Sequence, residues 1–211
     1  MEYGIIQKQE IVMFKEIRMK KTLLTLVVVL LFAGCSGKDI SINDQTSKHF
    51  TNKSVQLQIE QKADFVCQTP LRVILTTLVD PMLAYTSDDN NSLQDPAVNI
   101  GQNLLKTLKN RYSLRVVQDD KADYMLNLHT VMWGMIYLPF HWNHYKLYLN
   151  IHMELLDAKT QKVIAQGYCA KESDSENAPT YEEFFDNDAQ LLKKTVHILT
   201  NQCLDEFQKL F

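Results

Sequence analysis

Four cysteines and six histidines carry most of the chemistry open to this chain of 211 residues. A thiolate is a nucleophile and a soft metal ligand, two thiols can close a disulfide, and an imidazole can ligate a metal or move a proton near neutral pH. The cysteines are Cys35, Cys67, Cys169 and Cys203. No CxxC occurs, so spacing gives no basis for a thioredoxin-like redox role. Cys169 and Cys203 are the pair best suited to a disulfide. Cys203 falls on the apolar stripe of the last helical pattern, between Leu199 and Phe207, and Cys169 lies near the end of the last strand, which that helix should cover. The bond would close a loop of about 34 residues and contribute about 3–4 kcal/mol. Two buried thiols are the alternative, because cysteine packs well in cores. Cys67 is left over.

The histidines invite a metal reading. His129 and His152 fall on the outward face of two expected strands, where Glu154 could join them, and His141 and His144 flank Trp142-Asn143 in a loop. A catalytic zinc usually takes three protein ligands in close register, and no HExxH is present. Solvated or capping histidines are therefore the expectation, and no metal or cofactor is expected. There is no GxSxG, Walker loop or GxGxxG. Asp119-Asp120 and Asp186-Asn187-Asp188 read as turn and helix-start residues, since a calcium loop needs a longer ligand series. No catalytic constellation emerges, and the chain is expected not to be an enzyme.

Cys35 is set apart by what precedes it. Met19-Lys20-Lys21 is a short positive start, Leu23 to Phe32 is an almost unbroken apolar run, and Ala33-Gly34 supplies small residues. That is the layout of a secretory signal peptide. The run is shorter than the roughly 20 residues a membrane-spanning helix needs. Phe32-Ala33-Gly34-Cys35 resembles the lipobox of bacterial lipoproteins, with Phe32 where leucine is commoner. The resemblance implies that the Cys35 thiol receives a diacylglycerol, that the peptide before it is cleaved, and that the new amine is acylated. An ordinary signal peptide with an incidental cysteine is the alternative. Ser36 after the cysteine implies passage, in a Gram-negative host, to the inner leaflet of the outer membrane, facing the periplasm. A membrane, held through lipid on Cys35, is the first expected partner. One acyl chain holds marginally and several hold stably, at about 0.8 kcal/mol per buried methylene. Residues 1–18 carry Glu2, Glu10 and Glu16 ahead of the positive start. Met19 is the expected true start and 1–18 a start-site extension; a long n-region is the alternative.

The rest of the chain is globular in composition. The whole is 45% hydrophobic and 22% charged, enough for one domain with a real core. Beyond residue 34 there are 17 basic and 22 acidic side chains, a net charge of −5. That argues against nucleic acid, which calls for a basic excess. Residues 35–53 are polar and read as the lipidated cysteine followed by a flexible tether. Residues 54–211 read as a single α+β periplasmic domain.

Within it, Val55, Leu57 and Ile59 alternate with polar residues as a half-buried strand, and Leu71 to Val79 reads as a buried one. Asp95-Pro96 fits an N-cap and first helical position, followed by Ala97, Gly101, Leu104, Leu105, Leu108 and Tyr112 at helical spacing. Ser113 to Gln118 is a short strand. From Tyr124 the period is two: Tyr124, Leu126, Leu128, Thr130, Met132 and Ile136 share one face. Tyr145, Leu147, Leu149, Ile151, Met153 and Leu155 form the core face of its hairpin partner. Val163 to Ala170 returns as a third strand, with Gly167 marking a weak spot or bulge. Thr180-x-x-Glu183 is a capping box that opens a long helix through Leu210. The expected fold is α+β: strand, helix, meander, helix, with a mainly antiparallel sheet and helices on one face.

The hairpin tip is rich in aromatics. Alternation puts Trp133 and Tyr137 on the face away from the core set, and Phe140, Trp142 and Tyr148 complete the group. A contiguous exposed aromatic patch is a binding surface for a membrane or a protein. The alternative is that another segment covers it. Lys121-Ala122-Asp123-Tyr124, the strand ending in Trp133, and Leu155 to Ala165 resemble the core of small outer-membrane lipoproteins. In outline they are similar to auxiliary lipoproteins of lipid-transport ABC systems and to the lipopolysaccharide-assembly lipoprotein. This resemblance, in element order over residues 71–211, implies a non-enzymatic binding or assembly accessory of the cell envelope with an envelope protein as partner. A periplasmic hydrolase or redox protein with an unrecognised site is the alternative.

Overall fold

The computed structural model describes residues 39–42, 50, 52–60, 63–69, 93–118, 121–139 and 141–211. The strand expected at Leu71–Val79 lies outside them, as do Cys35 and Phe140. The strands are β1 (Ser54–Ile59), β2 (Phe65–Gln68), β3 (Arg115–Val116), β4 (Tyr124–Tyr137), β5 (Tyr145–Asp157) and β6 (Val163–Glu172). The helices are α1 (Pro96–Tyr112) and α2 (Tyr181–Gln208).

The sheet runs β3-β1-β4-β5-β6, with β2 also on β4. The hairpin β4–β5 and the return strand β6 are antiparallel. β1 and β2 both pair with β4 in parallel, as β1 does with β3. The sheet is therefore mixed, which corrects the mainly antiparallel expectation. The physical reason is that the chain between β1 and β4 contains α1, a crossover long enough to bring β4 back parallel to β1. α1 lies over β1 and β4, α2 lies over β5 and β6, and the two helices pack on each other.

α1 starts as its sequence predicts. Asp95 caps it by accepting from Ala97 N at 2.9 Å, with Pro96 at the first turn. The same carboxylate oxygen accepts from Thr130 Oγ at 2.6 Å, and both residues are buried, so the cap also fastens the helix to β4. α2 opens with the capping box between Thr180 and Glu183. It is interrupted at residues 186–189, where Asn187, Asp188 and Ala189 all take left-handed backbone angles. Asn and Asp tolerate that region better than most residues.

β4 carries the decisive irregularity. Thr130 pairs with Ile151 but Met132 pairs with Asn150, so Val131 is one residue too many. The bulge reverses the inward face of everything beyond it. Leu126, Leu128 and Thr130 point to the core before it, and Trp133, Met135 and Tyr137 point to the same core after it. Val131 itself is exposed. Just past the bulge, Gly134 lies against the backbone of β2. A Cβ there would overlap the Val66 carbonyl oxygen and lie 3.0 Å from Val66 N.

Gly167 has a different role from the bulge expected there. It pairs regularly with Met153, and a Cβ on it would meet Leu210 Cδ1 at 2.5 Å and Phe207 Cδ1 at 3.2 Å. The missing side chain lets the end of α2 sit down on β6. The irregularity of the β5–β6 pair falls instead between Leu155 and Leu156. Beside this seat, Cys169 and Cys203 form a disulfide with Cα atoms 5.5 Å apart. Cys67 is a buried thiol of β2.

The Lys-Ala-Asp-Tyr segment before β4 is a structural lock. The Asp123 carboxylate accepts from Lys53 Nζ at 3.0 Å, Ser54 N at 2.9 Å and Ser54 Oγ at 3.0 Å, tying the start of β1 to the start of β4. The hydrogen bond from Lys53, followed by those from Ser54 against the cost of desolvation, holds the Asp123 carboxyl below its usual 3.8. Lys53 is nearly half exposed, so its ion pair contributes little and the Ser54 bonds hold the strand. Asp123→Asn is expected to cost about 1–2 kcal/mol at pH 7, measured by urea unfolding. A depressed carboxyl stabilises above its unfolded pKa. The difference between the two proteins should thus shrink as pH falls below about 3.8.

The polar segment 35–53 is not wholly a tether, and this too is a correction. Ile40 pairs with Gln166 on the edge of β6, and Phe50 is fully buried, edge-on to Tyr112 and Tyr124.

Candidate binding site

The loop from Leu138 to His144 joins β4 to β5 and is closed by its own backbone. Leu138 N donates to His144 O at 2.9 Å, His141 N to Leu138 O at 3.1 Å, and His144 N to His141 O at 3.1 Å. Asn143 takes the left-handed turn position, with φ 57°. Its side-chain amide donates to Glu182 Oε2 at 2.7 Å. Tyr145 N donates to Pro179 O at 2.9 Å, and His144 forms a bridge with Thr180. The tip is thus fixed to the first turn of α2 at several points. His144 Nδ1 lies 2.6 Å from Trp142 O. A carbonyl only accepts, so that nitrogen holds the proton, and Nε2 is left as the acceptor of the neutral ring.

Four aromatic rings near the tip pack in a row. Tyr137, Tyr145, Tyr181 and Phe185 follow one another at ring separations of 5.7, 5.9 and 4.6 Å. Burial, with Cys67 and the neighbouring tyrosines adding to it, pushes the Tyr145 hydroxyl up to about 12. It stays neutral at physiological pH and cannot serve there as a base.

Between the tip, the 174–179 loop and the interrupted start of α2 lies a cavity of about 680 Å³. His141, His144, Glu176, Glu183, Asp186 and Asn187 give it its polar lining. The loop is braced by Asp174, which accepts from Glu176 N and from the Asn177 side chain, both at 2.9 Å. Glu183 is committed to the capping box, where it accepts from Thr180 N at 2.8 Å. The carboxylates make the walls negative, which suits a polar or cationic group of a partner.

Among the described residues the aromatic patch expected at the tip is mostly absent. Trp133, Tyr137 and Tyr148 are buried. Trp133 faces Leu149 across the hairpin, stacks edge-on to Phe65 at 5.1 Å, and donates from Nε1 to Ala63 O at 2.8 Å. The bulge at Val131 turned it inward and β2 covers it, so its contact role is corrected to a core role. Trp142 is 81% exposed, at the summit of the tip. His129 and His152 are cross-strand partners, as alternation implies. His152 lies 3.9 Å from Glu154, whereas His129 lies 3.7 Å from Glu60. Among the described residues no group of three His, Cys, Asp or Glu is placed to hold a metal ion. Also among them, no helix is long and apolar enough to cross a membrane.

Sequence reasoning did not find the cavity. Its walls come from loop segments about 35 residues apart, and only the capping box gave a local signal for one of them. It also missed β2, a strand of only four residues.

No family model matches the sequence, and no curated protein matches it. Several solved structures share an outline with it. The PelC dodecamer from Paraburkholderia phytofirmans is 11% identical, over 81% of this chain and 95% of that one, with a TM-score of 0.40. The minor lipoprotein from Acinetobacter baumannii is 10% identical, over 76% and 93%, with a TM-score of 0.34. The lipoprotein GNA1162 from Neisseria meningitidis is 12% identical, over 72% and 99%, with a TM-score of 0.27. At these identities and scores no family, residue role or activity transfers to this chain.

Proposed function

We propose that this protein is a lipid-anchored accessory of the cell envelope that binds or helps assemble a partner without catalysing a reaction. In this reading Cys35 holds it to the periplasmic face of the outer membrane, and the hairpin tip around Trp142 meets an envelope protein. The observation that carries the contact is the contrast between Trp142 and its neighbours. The other described aromatics of the hairpin, Trp133 among them, are folded away, while Trp142 stands in water on a braced loop. Tryptophan is favoured at interface hot spots, and this one is held out on a loop that hydrogen bonds fix in place.

Two variants test it. Cys35→Ala should abolish fatty-acid labelling and leave the leader uncleaved; normal maturation of that variant would remove the anchor from the proposal. Trp142→Ala should change unfolding stability by less than about 1 kcal/mol, as at a surface site. It should also lower the yield of partner cross-linked through a photoreactive group at Asn143. Equal yields with and without the indole would mean that the tip is not the contact.

A further inference from the structure

The first described residues place a constraint on how such a protein would meet its membrane. Ile40 and Gln166 exchange both backbone hydrogen bonds at 2.9 Å, an antiparallel pair that extends the sheet beyond β6. Ile42 N then donates to Leu210 O at 2.8 Å, next to the end of α2, and the Ile42 side chain packs on the core. Only after this does the chain proceed to buried Phe50 and to β1 on the far side of β4. The segment after Cys35 is therefore fastened to the domain long before its first full strand.

From this we infer that the edge of β6, with the turn after α2, is the membrane-facing end of the domain, and that its partner in this role is the lipid surface. The inference rests on the proposed lipid on Cys35. About four residues separate Cys35 from Asp39, a reach of at most about 14 Å at 3.3–3.6 Å per residue. A tether free up to Ser54 would span about 65 Å at full stretch. The difference decides the geometry: a short leash fixes which end stays near the bilayer, and a long one does not. The β5–β6 turn lies at the fastened end, and its exposed Lys159 and Lys162 suit anionic headgroups. The hairpin tip lies at the other end of the same strands. Gln166 pairs with Glu154, about nine residues along β5 from Tyr145, or about 30 Å at 3.3 Å per residue. Trp142 is therefore well separated from the fastening point.

The test uses the full lipidated protein in vesicles of phosphatidylethanolamine and phosphatidylglycerol that carry a headgroup quencher. A dye sits on a Lys162→Cys variant. Strong quenching is expected. A 20-residue Gly/Ser insertion between Gly37 and Lys38 should reduce it at least twofold. The same insertion between Asp44 and Gln45 should leave it unchanged, because it lies beyond the fastening point. Equal loss from both insertions, or loss from neither, would overturn the inference. Hydrogen exchange on the same protein separates the two layers of the argument. Slow exchange at the Ile40, Ile42 and Gln166 amides supports the fastening, and fast exchange overturns it. Absence of fatty-acid label and of vesicle binding would instead overturn the lipid reading, and with it the membrane-facing role.

Discussion

Trp133→Ala should destabilise the domain by about 3–5 kcal/mol, whereas the same change at Trp142, nine residues on, should scarcely register. The first estimate follows from burial. Trp133 is 1% exposed, and removing a buried tryptophan loses its transfer free energy and leaves a cavity that a sheet cannot easily collapse. Two further losses add to it. The edge-on contact with Phe65 disappears, and the Ala63 carbonyl loses the indole donor. Trp133→Phe keeps part of the volume and should recover part of the loss. Urea unfolding followed by circular dichroism measures all three variants. A cost below about 1 kcal/mol for Trp133→Ala would mean that β4 has no bulge at Val131 and that Trp133 points outward.

Loss of the Cys169–Cys203 bond is expected to cost about 3–4 kcal/mol, from the loop of 34 residues it closes. The bond acts mainly on the unfolded chain, which it keeps from expanding. The folded seat is independently well made: Phe207 and Leu210 rest on Gly167, and Lys171 pairs with Glu206 beside it. The double variant Cys169→Ala with Cys203→Ala should therefore fold to the same structure with a lower urea midpoint. Reducing agent should lower the midpoint of the parent by a similar amount and leave the double variant unmoved. An unchanged parent midpoint under reduction would mean that the thiols are not bonded.

Much of the fold was legible because it is written in local patterns. Asp95-Pro96 and Thr180-x-x-Glu183 mark helix starts through bonds made within one turn. The alternation from Tyr145 to Leu155 marks β5 because one face of a strand must be apolar when helices cover it. The Cys169–Cys203 pairing followed from placing two such elements face to face. The expected leader and the proposed lipidation of Cys35 rest on sequence alone, since charge, apolar length and small residues would act on an unfolded chain.

Tertiary structure decided what depends on partners distant in sequence. A single extra residue at Val131 has no signature in a run where every residue is apolar or weakly polar, yet it reversed the inward face of Trp133 and Tyr137. β2 is too short to declare itself and exists because Gly134 leaves room for its backbone. The parallel pairing of β1 with β4 depends on where α1 returns the chain. The cavity under the tip joins loops that pattern cannot bring together. Ile40 becomes a strand partner only because β6 has an edge to offer, as an unpaired row of backbone groups accepts any extended segment within reach. The sequence by itself carries the expectation of export and marks most of the helices and longer strands, because those signals are local in the chain. The long-range packing decided which faces those segments present, and so which aromatics of the hairpin are buried while Trp142 stands in water.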